Sequence, residues 1–236
     1  MHQAVDRSAG YAIAAPPVTT LAIAGADTAF PVARVYCVGR NYAEHSIEMG
    51  HDPDREPPFF FMKPADAVVP PGRLPFPTGT SELHHEIELV VALGEGGRDI
   101  PAERALDYVF GYAVGLDMTR RDLQAAAKKA GRPWDMAKGF DQSAPTGSIR
   151  TVEDIGHPTE GAVWLRINGE PRQEGDLEQQ IWTVPETIGY LSTLVTLRPG
   201  DLIMTGTPKG VGRVEPGDHL EGHIDGVGDL SVSYDS

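Results

Sequence analysis

Two glutamates, Glu86 and Glu88, stand one residue apart in an aliphatic run that extends to Leu93. The β-branched and aliphatic residues of this run predict a strand over residues 86–94. Side chains two apart on a strand point to the same face, so we expect the two carboxylates side by side and mostly buried. Because buried carboxylates repel each other, they need a shared proton, cationic partners or a bound cation. A hard divalent ion, Mg²⁺ or Mn²⁺, satisfies both carboxylates at once, and the alternative that stays open for this pair alone is an exposed edge strand with both acids in water.

A third carboxylate, Asp117, ends the next apolar segment just before a predicted helix. Three carboxylates leave coordination positions for substrate and water, as a catalytic Mg²⁺ site requires. Asp at this position is also typical of simple helix capping, and that alternative stays open. His84 and His85 raise the possibility of zinc, but adjacent strand residues point to opposite faces and do not easily bind one metal.

A helix predicted over residues 41–49 places His45 and Glu48 three apart, on one face. A carboxylate that accepts a proton from one imidazole nitrogen leaves the other nitrogen basic, which suits activation of a water molecule. The same spacing also occurs on ordinary protein surfaces. The helix follows a turn after the first long strand, a position that suits a mobile lid.

Two further residues are candidates for binding an anion. Lys138 is flanked by small and aromatic residues, which favours partial burial facing a negative group, although a solvated lysine is the simpler alternative. Thr207 lies in a glycine-rich turn that leaves a predicted strand, where backbone amides and a hydroxyl can hold a carboxylate. The turn lacks the residue order of a phosphate-binding P-loop.

The hydrophobic pattern predicts many short elements rather than a regular alternation of strands and helices. Strands are expected near residues 34–39, 58–63, 86–94, 109–117, 162–168, 201–206, 219–224 and 229–234. Helices are expected at 41–49, at 120–130 with Thr119 as N-cap, and at 185–194, and Asn168-Gly169 predicts a hairpin turn. We therefore predict a mainly β (α+β) fold with a few peripheral helices, not a doubly wound parallel sheet.

Composition narrows the classes of function. A formal net charge of −14 argues against nucleic-acid binding and means that an anionic substrate needs local positive charge to enter. We find no apolar run near the roughly 20 residues that a membrane span needs and no signal peptide, and the single cysteine, Cys37, fits a reducing cytoplasm. Residues 1–30 are expected to form an N-terminal arm, and 31–236 a single catalytic domain.

Several sequence blocks together resemble the fumarylacetoacetate hydrolase family. The matching blocks occur in family order between about residues 34 and 234: VGRNYAEH, FFFMKP, LHHEIELVV, GYAVGLDMTRRDLQ, WDMAKGFD, NGEPRQEG and GDLIMTGTPKGVG. The resemblance implies the mixed β-sandwich roll of the family's C-terminal domain, assembled as a homodimer. It implies Mg²⁺ or Mn²⁺ on Glu86, Glu88 and Asp117, a water-activating pair of His45 and Glu48, Lys138 at the reacting centre, and substrate contacts from Arg121, Gln124 and Thr207.

The resemblance also implies the chemistry. The expected reaction is metal-dependent hydrolysis of a carbon–carbon bond in a 2,4-dioxo acid (an acylpyruvate), with fumarylpyruvate of aromatic-compound degradation as the substrate. Arg40, Arg121 and Lys209 are candidates to bind the distal carboxylate of such a substrate. The alternatives are an oxaloacetate decarboxylase, a hydroxydienedioate isomerase or decarboxylase of the same family, and a metal-stabilised binding or scaffold protein without turnover.

Overall fold

The computed structural model describes residues 10–42 and 56–236. Its strands are β1 Thr20–Ala22, β2 Ala29–Pro31, β3 Arg34–Gly39, β4 Phe59–Lys63, β5 Val68–Val69, β6 Gly72–Leu74, β7 Leu83–His85, β8 Ile87–Leu93, β9 Val109–Leu116, β10 Thr119–Arg120, β11 Ala144–Pro145, β12 Arg150–Thr151, β13 Ala162–Ile167, β14 Glu170–Asp176, β15 Asp201–Met204, β16 Gly212–Val214, β17 His219–Ile224 and β18 Gly228–Tyr234. The α-helices are α1 Arg121–Ala130, α2 Asp135–Lys138, α3 Val152–Ile155 and α4 Val184–Leu194, and short 3₁₀ helices cover Ala65–Ala67, Ala102–Tyr108 and Leu177–Gln179.

Two large sheets form the body of the protein. The first has six strands in the order β12-β9-β8-β15-β3-β4, and the second has five in the order β14-β13-β17-β18-β6. Most neighbours are antiparallel, with parallel pairs only at β15–β3 and β18–β6 within these two sheets. A small sheet, β10-β7-β16, lies beside them. The predicted mainly β architecture of a sandwich roll is confirmed.

Strand β8 lies inside the six-stranded sheet, and both of its faces are covered. Ile87, Leu89 and Val91 join the main core with residues of the second sheet, whereas Val90 and Ala92 join a smaller core. The hairpin β1–β2 contributes to this smaller core. Burial on both faces explains why the sequence of β8 is apolar on both faces apart from Glu88, rather than alternating between apolar and polar residues. Glu88 shares the face of Val90 and Ala92. The predicted division of the chain at residue 30 stays a prediction, and the β1–β2 hairpin spans it.

Several predicted elements change in detail. The strand expected over 86–94 is observed as β8, Ile87–Leu93, and Glu86 separates it from the short strand β7, which was not predicted. The helix expected from residue 120 begins at Arg121, and Thr119 as its N-cap was wrong, because Thr119 pairs in β10 with His84 of β7. The hairpin turn at Asn168 is confirmed between β13 and β14, with a φ of 54°. The helix predicted over 41–49 falls mainly outside the described residues.

The remaining strands and the last helix are close to their predicted ranges, although the strand predicted over 201–206 ends at Met204. Helix α4 begins with a capping box, in which the Glu186 carboxylate accepts hydrogen bonds from the Thr183 amide and hydroxyl. A proline lies in the first turn of this helix. None of the helices in the described ranges is both long and apolar enough to cross a membrane.

Candidate metal centre and substrate pocket

The three predicted carboxylates meet at one end of the central strand pair. Ile87 of β8 lies opposite Leu116 of β9, so the residues just beyond this pair, Glu86 and Asp117, are adjacent, and the Asp117 amide donates to the Glu86 carbonyl at 2.8 Å. Glu88 follows on β8. One carboxylate oxygen from each of the three residues lies within 4.8 Å of the others, and all three side chains are buried. The structure therefore brings together the three residues predicted to bind a metal.

Cationic side chains surround this cluster. Lys138 Nζ, from the end of α2, donates to Glu86 Oε2 at 2.8 Å and to Asp117 Oδ2 at 2.7 Å. Arg121 Nη2 donates to Glu86 Oε1 at 2.5 Å. Burial opposes the charge on Lys138, but the Asp117 and Glu86 carboxylates outweigh burial and raise its pKa. Lys138 is therefore a buried, charged ammonium group at the floor of the site.

Lys63 is a second buried lysine at the cluster, and the sequence analysis missed it. Its Nζ lies 2.8 Å from Asp117 Oδ1 with its side chain fully buried. Its hydrogen bonds go to the main-chain carbonyls of Met118 (3.1 Å) and Lys138, so the contact with Asp117 is an ion pair without hydrogen-bond geometry. The available signal was a charged residue at the end of the aromatic strand β4, inside one of the family-like blocks.

Glu88 differs from the other two acids. Among the described residues, its only hydrogen bond comes from the Gly206 amide, at 2.7 Å from Oε2. Burial, followed by the neighbouring Asp117 and Glu86, raises the pKa of Glu88 well above its ordinary value, although Lys138 and the Gly206 amide oppose the shift. A divalent cation would satisfy the Glu88 carboxylate and Asp117 Oδ1, which accepts no hydrogen bond from the described residues. The donor set, all carboxylate oxygen, fits Mg²⁺ or Mn²⁺.

The zinc alternative loses support. The candidate metal group among the described residues contains no histidine. His85 Nδ1 lies 2.8 Å from Gln173 Oε1, and His84 Nδ1 lies 3.3 Å from Arg121 Nε. Burial, with the nearby Arg121, lowers the pKa of His84 to about 4. Both imidazoles are therefore engaged by neighbouring polar groups of the protein.

The carboxylates form the floor of a pocket. All four predicted substrate contacts line its wall: Arg40, Arg121, Gln124 and Thr207. Arg121 and Gln124 are held together by a 2.6 Å hydrogen bond from Nη1 to Oε1. Lys209, the third candidate for a distal carboxylate, is not among the described residues that line this pocket.

Lys128 also lines the pocket and was missed by the sequence analysis. It follows Arg121 and Gln124 on one face of α1, at positions i, i+3 and i+7. Its Nζ lies 5.0 Å from the centre of the Trp134 ring. Burial, then the positive charges of Arg121 and Arg40, lower the pKa of Lys128. The outer pocket therefore has an excess of positive charge that an anionic ligand would relieve.

Two predicted residues, His45 and Glu48, lie outside the described residues, so their role stays a prediction.

Cys37 is fully buried in β3, and burial raises the pKa of its thiol well above the ordinary value. This thiol therefore lacks the exposure and thiolate character of a nucleophile.

Comparison with known proteins identifies the family of this chain. The family model of the fumarylacetoacetate (FAA) hydrolase C-terminal domain matches residues 34–233. The chain belongs to the fumarylacetoacetate hydrolase family. The crystal structure of fumarylpyruvate hydrolase from Pseudomonas aeruginosa in complex with Mn²⁺ and pyruvate is similar, with 55% identity and a TM-score of 0.94, over 96% of this chain and 99% of that chain.

Other members of the fumarylacetoacetate hydrolase family carry different names. The mouse protein named oxaloacetate tautomerase FAHD1, mitochondrial, is 47% identical over 194 residues, which cover 82% of this chain and 87% of that protein. The crystal structure of 5-carboxymethyl-2-hydroxymuconate delta-isomerase from Mycobacterium smegmatis is 34% identical, with a TM-score of 0.76, over 88% of this chain and 80% of that chain. Membership of the family therefore does not by itself identify the reaction, which depends on the residues of the pocket.

We predict that replacing Lys63 with Met destabilises the protein by about 3–5 kcal/mol, because the change removes a buried ammonium group from Asp117 Oδ1 and from the Met118 and Lys138 carbonyls. Denaturant unfolding of the metal-free protein measures the loss. Lys129→Met, which removes the same charge from an exposed position on α1, serves as the control. A loss below about 1 kcal/mol, the range of a surface ion pair, would contradict a role for Lys63 in balancing the cluster.

Proposed function

We propose that this chain hydrolyses the C3–C4 bond of a 2,4-dioxo acid, with fumarylpyruvate as its substrate and fumarate and pyruvate as products. The observation that carries the proposal is the pairing of three buried carboxylates with a positively charged outer wall in one pocket. Glu86, Glu88 and Asp117 would hold Mg²⁺ or Mn²⁺, and a divalent ion there supplies Lewis-acid stabilisation of negative charge on a 2-oxo acid. The similar P. aeruginosa hydrolase, crystallised with Mn²⁺ and pyruvate, supports this choice.

In the proposed reaction, His45, oriented by Glu48, accepts a proton from water as the hydroxide attacks the C4 carbonyl. The oxygen of the hydroxide stays bonded to C4, and the acyl group is released as fumarate. The C3–C4 bonding electrons go to the pyruvate part as an enolate, which is then protonated at C3. Lys138, a charged ammonium at the pocket floor, donates hydrogen bonds to the oxygen on which negative charge develops.

Oxaloacetate chemistry is the second candidate, because relatives such as the mouse protein are named oxaloacetate tautomerases. Interconversion of keto and enol forms moves a proton between C3 and the 2-oxo oxygen and needs no attacking water. Decarboxylation of oxaloacetate likewise needs no attacking water, and isomerisation is represented by the similar M. smegmatis enzyme. A scaffold role without turnover is disfavoured, because a buried group of three acids and three cationic side chains is costly to maintain.

Two broader expectations remain proposals. The homodimer and the cytoplasmic location follow from the family resemblance and from the single cysteine. The mouse relative's name places that protein in mitochondria.

The test of the proposed reaction follows loss of fumarylpyruvate absorbance with Mg²⁺ or Mn²⁺, then after EDTA, and identifies the products. We expect fumarate and pyruvate in equal amounts and loss of turnover with EDTA, restored by added metal. Turnover of oxaloacetate with none of fumarylpyruvate would reject hydrolysis and favour the second candidate.

His45→Ala separates hydrolysis from the competing reactions. We expect this variant to retain metal binding, measured by calorimetry, and to lose fumarylpyruvate hydrolysis by about 10²- to 10⁴-fold, the usual contribution of a general base. His2→Ala, at a histidine that precedes all of the matching blocks in the sequence, is the matched control. Hydrolysis at the wild-type rate in His45→Ala would mean that another group activates the water.

Lys128 gives a prediction about substrate choice. Lys128 lies seven positions after Arg121 on α1, which is about 10 Å along the helix axis. The end carboxylates of extended fumarylpyruvate are about 7–8 Å apart, whereas those of oxaloacetate are about 4 Å apart, from ordinary bond lengths. A fumaryl carboxylate can therefore approach Lys128 while the 2-oxo acid end stays near the floor of the pocket.

We therefore expect Lys128→Met to raise the KM for fumarylpyruvate about 10-fold or more, since a hydrogen bond to a charged group contributes about 1.5–3 kcal/mol. The KM for acetylpyruvate, which lacks the distal carboxylate, should not change. Lys129→Met is the matched control and should affect neither substrate. Equal effects of Lys128→Met on both substrates would reject recognition of the distal carboxylate by Lys128.

A further inference from the structure

The buried side-chain amide of Gln173 connects His85, the last residue of β7, with the pocket residue Thr207. Gln173 is the one fully buried side chain of β14, whose other residues are exposed or half-buried. Its Oε1 lies 3.1 Å from the Ile87 amide, and its Nε2 lies 2.8 Å from the Pro208 carbonyl. An amide N–H only donates and a carbonyl only accepts, so these two backbone groups fix which end of the Gln173 side chain is which.

Two hydrogen positions follow from this orientation. Gln173 Oε1 also faces His85 Nδ1 at 2.8 Å, so Nδ1 carries the hydrogen. The second Nε2 hydrogen is directed at Thr207 Oγ1, also at 2.8 Å, so the Thr207 hydroxyl is the acceptor in that bond. Its own hydrogen must therefore point elsewhere, and among the described residues the hydroxyl has no acceptor for it.

The main chain holds this arrangement in place. Gly210 packs so closely on β14 that a Cβ there would lie 2.1 Å from the Arg172 carbonyl oxygen, and its φ is +89°. A Cβ on Gly175 would lie 2.6 Å from the ring of Pro208. The loop that carries Thr207 is thus in direct contact with β14 at two further points. This loop cannot shift away from Gln173 without losing both contacts.

We infer that Gln173 is a positioning residue that holds the Thr207 hydroxyl as a hydrogen-bond donor toward a carboxylate or oxo oxygen of a 2-oxo acid in the pocket. The ligand class rests on the proposed function. A free threonine hydroxyl rotates and can donate or accept, whereas the oxygens of a 2-oxo acid only accept. Fixing Thr207 as an acceptor from Gln173 leaves it a donor to the ligand, before the ligand arrives.

The test measures binding of oxalate, a planar 2-oxo acid analogue, to the Mn²⁺-loaded protein by calorimetry. Gln173→Glu is nearly isosteric, but an ionised carboxylate accepts instead of donating and turns the Thr207 hydrogen away from the pocket. We expect Gln173→Glu and Thr207→Val each to weaken oxalate binding about 10-fold or more, and Thr207→Ser to bind within about twofold of wild type. Gln173→Met replaces Gln173→Glu if the latter does not fold, and we expect a loss of the same direction.

The decisive comparison is the double variant. If Gln173 acts through Thr207, the Gln173→Glu, Thr207→Val double variant binds oxalate no more weakly than Thr207→Val alone. The inference would be overturned if the losses of oxalate affinity in the two single variants multiply in the double variant. It would also be overturned if Thr207→Val binds oxalate as tightly as the wild type, or if the wild-type protein does not bind oxalate. Mn²⁺ affinity, measured in parallel, should be unchanged in the single variants, which separates this effect from general damage to the site. Oxalate binding without fumarylpyruvate hydrolysis would reject the proposed reaction alone.

Discussion

Balance of charge around three buried carboxylates is the constraint on which this structure depends. Glu86, Glu88 and Asp117 are removed from water by strands packed on both sides, and a buried charge without a partner costs several kcal/mol. Cations from separate parts of the chain meet this cost: Lys63 at the end of β4 and Lys138 at the end of α2. The six-stranded sheet and the helices beside it are therefore tied together by the same ion pairs that define the site.

The arrangement of charge around the pocket also explains how an acidic protein can bind an anionic substrate. The chain carries a formal net charge of −14, yet the outer pocket places Arg40 and Arg121 close enough to Lys128 for their positive charges to lower its pKa. The floor of the pocket presents acids for a cation, and the wall presents cations for an anion. This division suits a ligand with a chelating 2-oxo acid at one end and negative charge at the other, which is the chemical form of fumarylpyruvate.

Local sequence predicts the parts of this arrangement that depend on local pattern. The aliphatic run after Glu86 predicts a buried strand, and the two-residue spacing predicts that Glu86 and Glu88 are neighbours. The break between β7 and β8 at Glu86 depends on a long-range contact, because Gln173 of β14 accepts a hydrogen bond from the Ile87 amide. Thr119 resembles a helix cap in sequence, but its pairing with β7 uses it as strand instead.

The residues that sequence analysis missed are those whose roles exist only in three dimensions. Lys63 ends an aromatic strand inside a family-like block, but that position does not predict its contact with Asp117, and Lys128 lies in a polar helix without a local sign of function. Their positions beside Asp117 and Arg121 arise from packing of β4 and α1 on the same pocket. Gln173, in an edge strand of mostly exposed residues, likewise gains its role only from the loop that packs against it.

The most direct test of the central claim is anomalous X-ray diffraction from crystals grown with Mn²⁺. We expect a single strong anomalous peak within about 2.0–2.3 Å of one oxygen from each of Glu86, Glu88 and Asp117, the ordinary range for hard divalent ions on carboxylates. Lys138 Nζ should have moved off at least one of its two carboxylate partners. A peak at another site, or none at saturating Mn²⁺ with the Lys138 ion pairs intact, would contradict the account.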